Sequence, residues 1–159
     1  MKGYVCSEYF GDSYRSGDLV NDVLHQDLMD LSFGNESIDL VLSSDVFEHI
    51  PDPYKAHEEV YRVLKPGGRH IFTVPFYQTE FLDEERAIAD MTGNTVFLLP
   101  PLHHEDPMRS KGVLVYKIFS LEMLVRLRRI GFRTMLYQLY KPLYGILGPN
   151  AIVFEAIKD

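Results

Sequence analysis

The stretch Ile38–Phe76, IDLVLSSDVFEHIPDPYKAHEEVYRVLKPGGRHIFTVPF, constrains the fold more than any other part of the chain. Two short apolar runs, Ile38–Leu42 and His70–Val74, flank one amphipathic segment. Continuous apolar runs of this length suit strands buried on both faces of a parallel sheet. Between them, Ala56, Val60, Val63 and Leu64 recur at helical spacing, with Glu58, Glu59 and Arg62 expected outward, so the pattern predicts a helix over Tyr54–Leu64. Lys65 suits the negative end of that helix, and Pro66-Gly67-Gly68 is expected to stop it. The unit is β-α-β. In open α/β sheets ligands bind beyond the carboxyl ends of the strands. The polar group after Leu42, namely Ser43, Ser44, Asp45, Glu48 and His49, is therefore the first place to look for chemistry.

Upstream, Gly3–Ser7 is a short apolar stretch closing on Glu8. It reads either as a frayed strand, which these residues favour, or as a strand whose terminal carboxylate accepts hydrogen bonds from a ribose diol. Val23 and Leu24 suit a very short strand ending at Asp27. Asp27 followed by Leu28 suits an adenine, with the carboxylate accepting the exocyclic amine; equally, Asp27 caps a helix or closes an Asx turn.

After Ile38–Leu42, Pro51 and Pro53 mark a loop. The i, i+3 spacing of Asp45 and Glu48 puts both on one face of any helical turn. Glu48 and His49 either position a substrate and move a proton, or satisfy backbone groups at the turn, or pair with each other. Residues 77–117 read as a long irregular region, and such regions are usually binding loops. It contains His103, His104, Glu105 and Asp106. Adjacent side chains of a strand point apart, so the two histidines cannot share one ion and no metal site is expected there. A substrate-facing histidine and a solvated turn both fit. Ser120 is the expected N-cap of a helix that ends at Gly131, with Arg126, Arg128 and Arg129 on its solvated face. Thr134–Tyr140 and Ala151–Ile157 read as strands forming a hairpin edge.

The 159 residues amount to one domain, 1–159, with 77–117 as an insertion on the substrate side. A net charge of −7 argues against nucleic acid as the main partner. Cys6 is the sole cysteine, which excludes an intrachain disulfide and a cysteine-based zinc site. The opening MKGYVCSEYF lacks a secretory apolar core. No apolar run reaches the roughly 18–20 residues that span a bilayer. The expectation is a soluble cytoplasmic protein with no membrane contact.

With those residues in place, DLMDLSFGNESIDLVLSSDVFEHIPDPYKAHEEVYRVLKPGGRHIFTVPF, together with the later FSLEMLVRLRRIGF, resembles the class I S-adenosylmethionine-dependent methyltransferases, in the form classed as type 11. The resemblance implies an α/β, Rossmann-like sheet of seven strands, mostly parallel with an antiparallel C-terminal strand. It implies S-adenosyl-L-methionine at the strand ends. Glu8 would bind the ribose hydroxyls, Asp27 and Leu28 the adenine, and Ser43, Ser44 and Asp45 the methionine side. Glu48 and His49 would stand beside the methyl-transfer site, with His104 or His103 facing the acceptor.

The family's first strand and Gly-rich loop should precede Glu8, yet seven residues without a G-x-G pattern stand there. The expectation is therefore an N-terminally truncated sheet, either rearranged or completed by a homodimer partner. The expected function is methyl transfer to a small-molecule or glycan-like acceptor by in-line displacement, which depends mostly on proximity. A general base is needed where the acceptor must lose a proton, with His49, His103 and His104 as candidates. The alternative is a catalytically silent scaffold module or fragment. A nicotinamide enzyme is not expected, because no G-x-G-x-x-G is present.

Overall fold

The computed structural model describes residues 3–106, 109–148 and 150–159. In chain order, β1 is Ser7–Glu8, β2 Leu19–Val20, β3 Val23–His25 and β4 Ile38–Ser44. A single 3₁₀ turn, Phe47–His49, leads to α1, Pro53–Val63, and directly to β5, Leu64–Thr73. Six short strands follow: β6 Glu84–Glu85, β7 Ala87–Ala89, β8 Thr95–Phe97, β9 His103–Asp106, β10 Arg109–Leu114 and β11 Lys117–Ile118. The chain closes with α2, Leu121–Ile130, then β12, Phe132–Gln138, and β13, Ile152–Lys158.

The main sheet has the order β12-β13-β5-β4. β4 and β5 run parallel, with Val41 beside His70 and Ser43 beside Phe72. The other two pairings, β5 with β13 and β13 with β12, are antiparallel. This sheet is thus mixed, with one parallel pairing, and the expected C-terminal hairpin is present. β1 pairs parallel with β3 in a separate three-stranded sheet that β2 completes. Among the described residues, β4 is paired on one side only.

Side chains alternate across a strand, and β4 shows the result. Val41 and Ser43 are half-buried, whereas Leu40 and Leu42 on the opposite face are 48% and 63% exposed. On that opposite face, Arg69 Nη1 donates to Glu155 Oε1 at 2.7 Å, and the Tyr137 hydroxyl donates to Glu155 Oε2 at 2.8 Å. Both helices cover the other face.

α1 starts where Asp52 accepts a hydrogen bond from the Lys55 amide at 3.1 Å and Pro53 occupies the first turn. Its apolar stripe, Ala56, Val60 and Val63, packs with Leu64, Phe72, Phe119, Met123, Leu127, Phe132 and Phe154 in one core. Each large apolar side chain so buried contributes about 1.5–3 kcal/mol.

Several expectations change here. Glu59 and Arg62 do not simply face water. Glu59 Oε2 accepts from the Leu31 amide at 2.9 Å, and the Arg62 guanidinium donates to the Leu31 and Phe33 carbonyls at 2.8 and 2.9 Å. Together they pin the loop that enters β4. Pro66-Gly67-Gly68 lies inside β5 rather than before it. The register jumps there from Ile38 beside Leu64 to Leu40 beside Arg69, so the motif is a bulge. Ser120 makes no capping bond to α2; its hydroxyl donates to the Phe81 carbonyl at 2.7 Å and to Asp83 at 3.1 Å. Residues 77–117 are not irregular, since β6–β11 pair among themselves in three two-stranded sheets. Pro107 and Met108 of that expected insertion lie outside the described residues.

Candidate functional site

A broad, open cavity of about 1770 Å³ lies at the carboxyl ends of β1, β3 and β4. Glu8, Asp27, Leu28, Ser43, Ser44 and Asp45 all line it, as do His49 and His104 from the far side. Glu48, fully buried, lies outside the lining, as does His103. The fold therefore gathers residues from four separated parts of the chain.

Each strand end is held differently. The Glu8 carbonyl accepts from the Gln26 amide at 3.1 Å, which fixes β1 beside β3 and leaves the Glu8 side chain exposed. Asp27 closes an Asx turn, its Oδ1 accepting from the Met29 amide at 2.8 Å, while its own amide donates to Ser16 Oγ at 2.8 Å. The turn is thus present and the residue still faces the cavity. Ser43 Oγ lies 3.0 Å from His70 Nε2, and Ser44 Oγ lies 2.9 Å from Thr73 Oγ1. Asp45 adopts φ +49°, in the left-handed region that Asp tolerates better than most residues. Its amide donates to the Thr73 carbonyl at 3.0 Å, so the chain turns sharply at the tip of β4.

That turn drops Glu48 into the interior. Among the described residues, neither of its carboxylate oxygens has a hydrogen-bond partner. Burial pushes the carboxyl up to about 7, its own nearby backbone amide, too poorly placed to count as a hydrogen bond, pulls it back a little, and the Asp45 charge adds to the rise. The expectation that Glu48 satisfies backbone groups at the turn does not hold for its side chain. His49 Nε2 stands 3.7 Å from Glu48 Oε1, and His104 Nδ1 stands 3.5 Å from the same oxygen. The Tyr116 amide donates to the Glu48 carbonyl at 2.7 Å, and His49 Nδ1 lies 2.7 Å from the Leu114 carbonyl. These two bonds seat the β9–β10 hairpin on the turn. His103, next to His104, is exposed and does not line the cavity.

The hairpin itself depends on Gly112. It adopts φ +68°, and a Cβ there would sit 2.3 Å from the His104 carbonyl oxygen. The β9–β10 register shifts between Arg109 and Val113, so the glycine lets the two strands close around an irregular step.

Other residues of the site escaped the sequence reading. Tyr9 lines the cavity and hydrogen-bonds Asp12; burial and that carboxylate push its phenol up. Its position directly after a strand-end acid was the available signal. Tyr54, Lys117 and Arg126 line the opposite side. The Tyr54 hydroxyl bonds Asp83, and the Arg126 guanidinium lies 3.8 Å from the Tyr54 ring centroid. Arg126 is therefore part of the cavity wall rather than of a purely solvated face. Beneath the floor, His57 and His70 are fully buried with ring centroids 5.6 Å apart. Burial among Phe47 and Phe72 holds both well below the usual histidine range, His70 at about 3, and repulsion from His70 lowers His57 further, so both rings stay neutral. Their polar type hid their core position in the pattern.

Residues 8–72 match the sequence profile of a methyltransferase domain. An uncharacterized methyltransferase of Mycobacteroides abscessus is 28% identical over 116 residues, covering 72% of this chain and 45% of that protein. The chain spans less than half the length of the curated relatives it matches first. An S-adenosylmethionine dependent methyltransferase from Mesorhizobium loti superposes with a TM-score of 0.54 at 18% identity, over 91% of this chain and 74% of that one. A glycopeptide N-methyltransferase complexed with S-adenosyl-L-homocysteine gives 0.53 at 15% identity, over 86% and 61%. No described helix is long and apolar enough to cross a membrane. Residues 8–72 thus carry the sequence pattern of a methyltransferase domain, and most of the chain shares its fold with S-adenosylmethionine-dependent methyltransferases.

Proposed function

We propose that this chain binds S-adenosyl-L-methionine at the ends of β1, β3 and β4 and transfers its methyl group to a small-molecule or glycan-like acceptor. The observation that carries the reading is the convergence of Glu8, Asp27-Leu28 and Ser43–Asp45 on one cavity. The donor chemistry fits. A ribose diol and an adenine amine are hydrogen-bond donors, and Glu8 and Asp27 are acceptors on adjacent strand ends. The cofactor would supply an electrophilic methyl. The acceptor atom would bond it as the carbon–sulfur bond broke, the electron pair being left on sulfur. Holding the two reactants in line is most of the catalysis. An acceptor proton would pass to His49 or His104 on the cavity wall. The small-molecule or glycan-like acceptor is favoured by a cavity walled by Tyr54, Tyr116 and Arg126, and by the fold likeness to an enzyme acting on a glycopeptide.

Calorimetric titration with S-adenosylmethionine and S-adenosylhomocysteine tests the reading. Binding that falls at least tenfold in both Glu8→Ala and Asp27→Ala supports it. No binding at near-millimolar ligand, or binding that survives both substitutions, overturns it.

A second reading, a scaffold module that pairs with a second copy of the chain, is favoured by the unpaired side of β4 and the exposed Leu40 and Leu42. Light scattering on dilute protein tests the pairing: a well-folded monomer eliminates the paired form.

A further inference from the structure

Glu48 is sealed from solvent, yet among the described residues both of its carboxylate oxygens lack a hydrogen-bond partner. A carboxyl group removed from water without compensation is costly, so its surroundings should contain what compensates it. Two imidazoles from distant parts of the chain close over Glu48 Oε1, His104 Nδ1 at 3.5 Å and His49 Nε2 at 3.7 Å. Those separations are long for hydrogen bonds. They are close to the roughly 3.3–3.5 Å expected between two donor atoms sharing one tetrahedral ion at about 2.0–2.1 Å from each. One donor atom from each of the three residues lies within 4.8 Å of the others.

We propose that Glu48, His49 and His104 form a binding site for a divalent first-row metal ion of the zinc class, three protein ligands with the remaining coordination open to the cavity.

The surroundings are those of such a site. His49 Nδ1 lies 2.7 Å from the Leu114 carbonyl. A carbonyl only accepts, so Nδ1 carries the proton and Nε2 presents its lone pair on the Glu48 side. Metal-bound histidines are commonly fixed in this way through their other nitrogen. Asp45, also on the cavity wall, adds a second negative charge near Glu48. Two nitrogens and one carboxylate oxygen select zinc-class ions over magnesium or calcium, which prefer oxygen alone. Adjacent residues of β9 point apart, so the His103-His104 pair contributes one ligand. The pairing that matters is His104 with His49 across the hairpin, which the sequence spacing of the two adjacent histidines conceals. Three protein ligands with an open position is the arrangement of reactive rather than structural zinc. With the ion bound, His49 and His104 would serve as its ligands in place of accepting a proton directly, and the open position would take water or an acceptor oxygen and ease its deprotonation. That last role rests on the methyl-transfer reading; the ion site itself does not.

Equilibrium dialysis of the full chain against Zn²⁺, with Co²⁺ as the spectroscopic probe, tests the site without any cofactor. The expected result is one tightly bound ion per chain and visible Co²⁺ absorption of tetrahedral intensity that Zn²⁺ displaces. His104→Ala, at the half-exposed rim where folding is not at stake, should weaken binding at least tenfold. Glu48→Gln should do the same, and His103→Ala should leave affinity unchanged. The absence of a stoichiometric ion in the unaltered chain, a His104→Ala variant that binds as well, or a His103→Ala variant that loses as much would each overturn the proposal. Because the ion is measured directly, failure of S-adenosylmethionine to bind would count against the methyl-transfer reading alone.

Discussion

His49 and His104 meet edge to face, with ring centroids 5.0 Å apart and ring planes at 90°. One stands on the turn after β4 and the other on a hairpin far along the chain. Their meeting depends on how the hairpin closes, and that closure can be tested.

Gly112→Ala should disturb it. The added Cβ would collide with the His104 carbonyl, and the backbone already lies where side chains are strained. Strain of this kind typically costs about 1–3 kcal/mol. Urea denaturation should show a loss of that size, and Zn²⁺ affinity should fall with it. An unchanged midpoint would mean that the hairpin closes without this contact.

The buried histidines predict an acid dependence. His57 and His70 stay neutral in the fold, whereas in the unfolded chain they take up protons below about 6.5. The unfolded state then binds more protons, so each residue lowers stability as pH falls from about 6.5, for His70 down to about 3. The slope per histidine is about 1.4 kcal/mol per pH unit. Glu48, raised to about 7, has the opposite sign between its folded value and the ordinary glutamate value. The clean measure is therefore a difference. His57→Leu should flatten the loss of stability between pH 6.5 and 5 relative to the unaltered chain, and should cost little at pH 8, since both His57 ring nitrogens lack partners. Equal slopes in the two proteins would contradict the neutral, buried state of His57.

Tyr54→Phe removes one hydroxyl and leaves the ring over which Arg126 lies. Asp83 keeps its bonds from the Ser120 amide at 2.8 Å and the Ser120 hydroxyl at 3.1 Å, but loses the Tyr54 donor. Leaving a partly buried carboxylate oxygen without its donor typically costs about 1–3 kcal/mol. Thermal denaturation should show a drop in Tm, with the far-ultraviolet spectrum unchanged.

Arg62→Lys should loosen the entrance to β4. The guanidinium bonds two carbonyls, the Asn35 side chain and Glu59 at once, a geometry that a single ammonium cannot reproduce. Proteolysis should become faster within residues 31–35, and the affinity for S-adenosylhomocysteine should fall, because that loop follows Asp27 and Leu28 directly. Unaltered cleavage in that loop would show that Glu59 alone holds it.

The β-α-β unit was legible because its two periodicities are local: apolar runs for strands and a 3.6-residue stripe for α1. The strand-end acids were legible for the same reason, since a strand's end is marked by where its apolar run stops. Residues 77–117 were not, because β6–β11 are two to six residues long, too short for an alternating pattern to show, and β6 exists only through pairing with β11 some thirty residues away. The helical wheel placed Glu59 and Arg62 outward correctly, but it carries no information about a loop that folds back over that face. Glu48 was visible as an acid beside a histidine. Its burial and its approach to His104 are products of the hairpin, which no local pattern encodes.

The hairpin hangs on the turn by two hydrogen bonds, Tyr116 amide to Glu48 carbonyl and His49 to Leu114 carbonyl. Two such bonds hold only about 1–3 kcal/mol between them. The residues that follow the hairpin do more: Val115, Ile118 and Phe119 are buried, so the far wall of the cavity is rooted in the core at its base and held at its tip by those two bonds. Deuterium reaches the Tyr116 amide only when its bond to the Glu48 carbonyl breaks. Its exchange rate therefore reads how firmly wall and turn are joined, before any ligand has been identified.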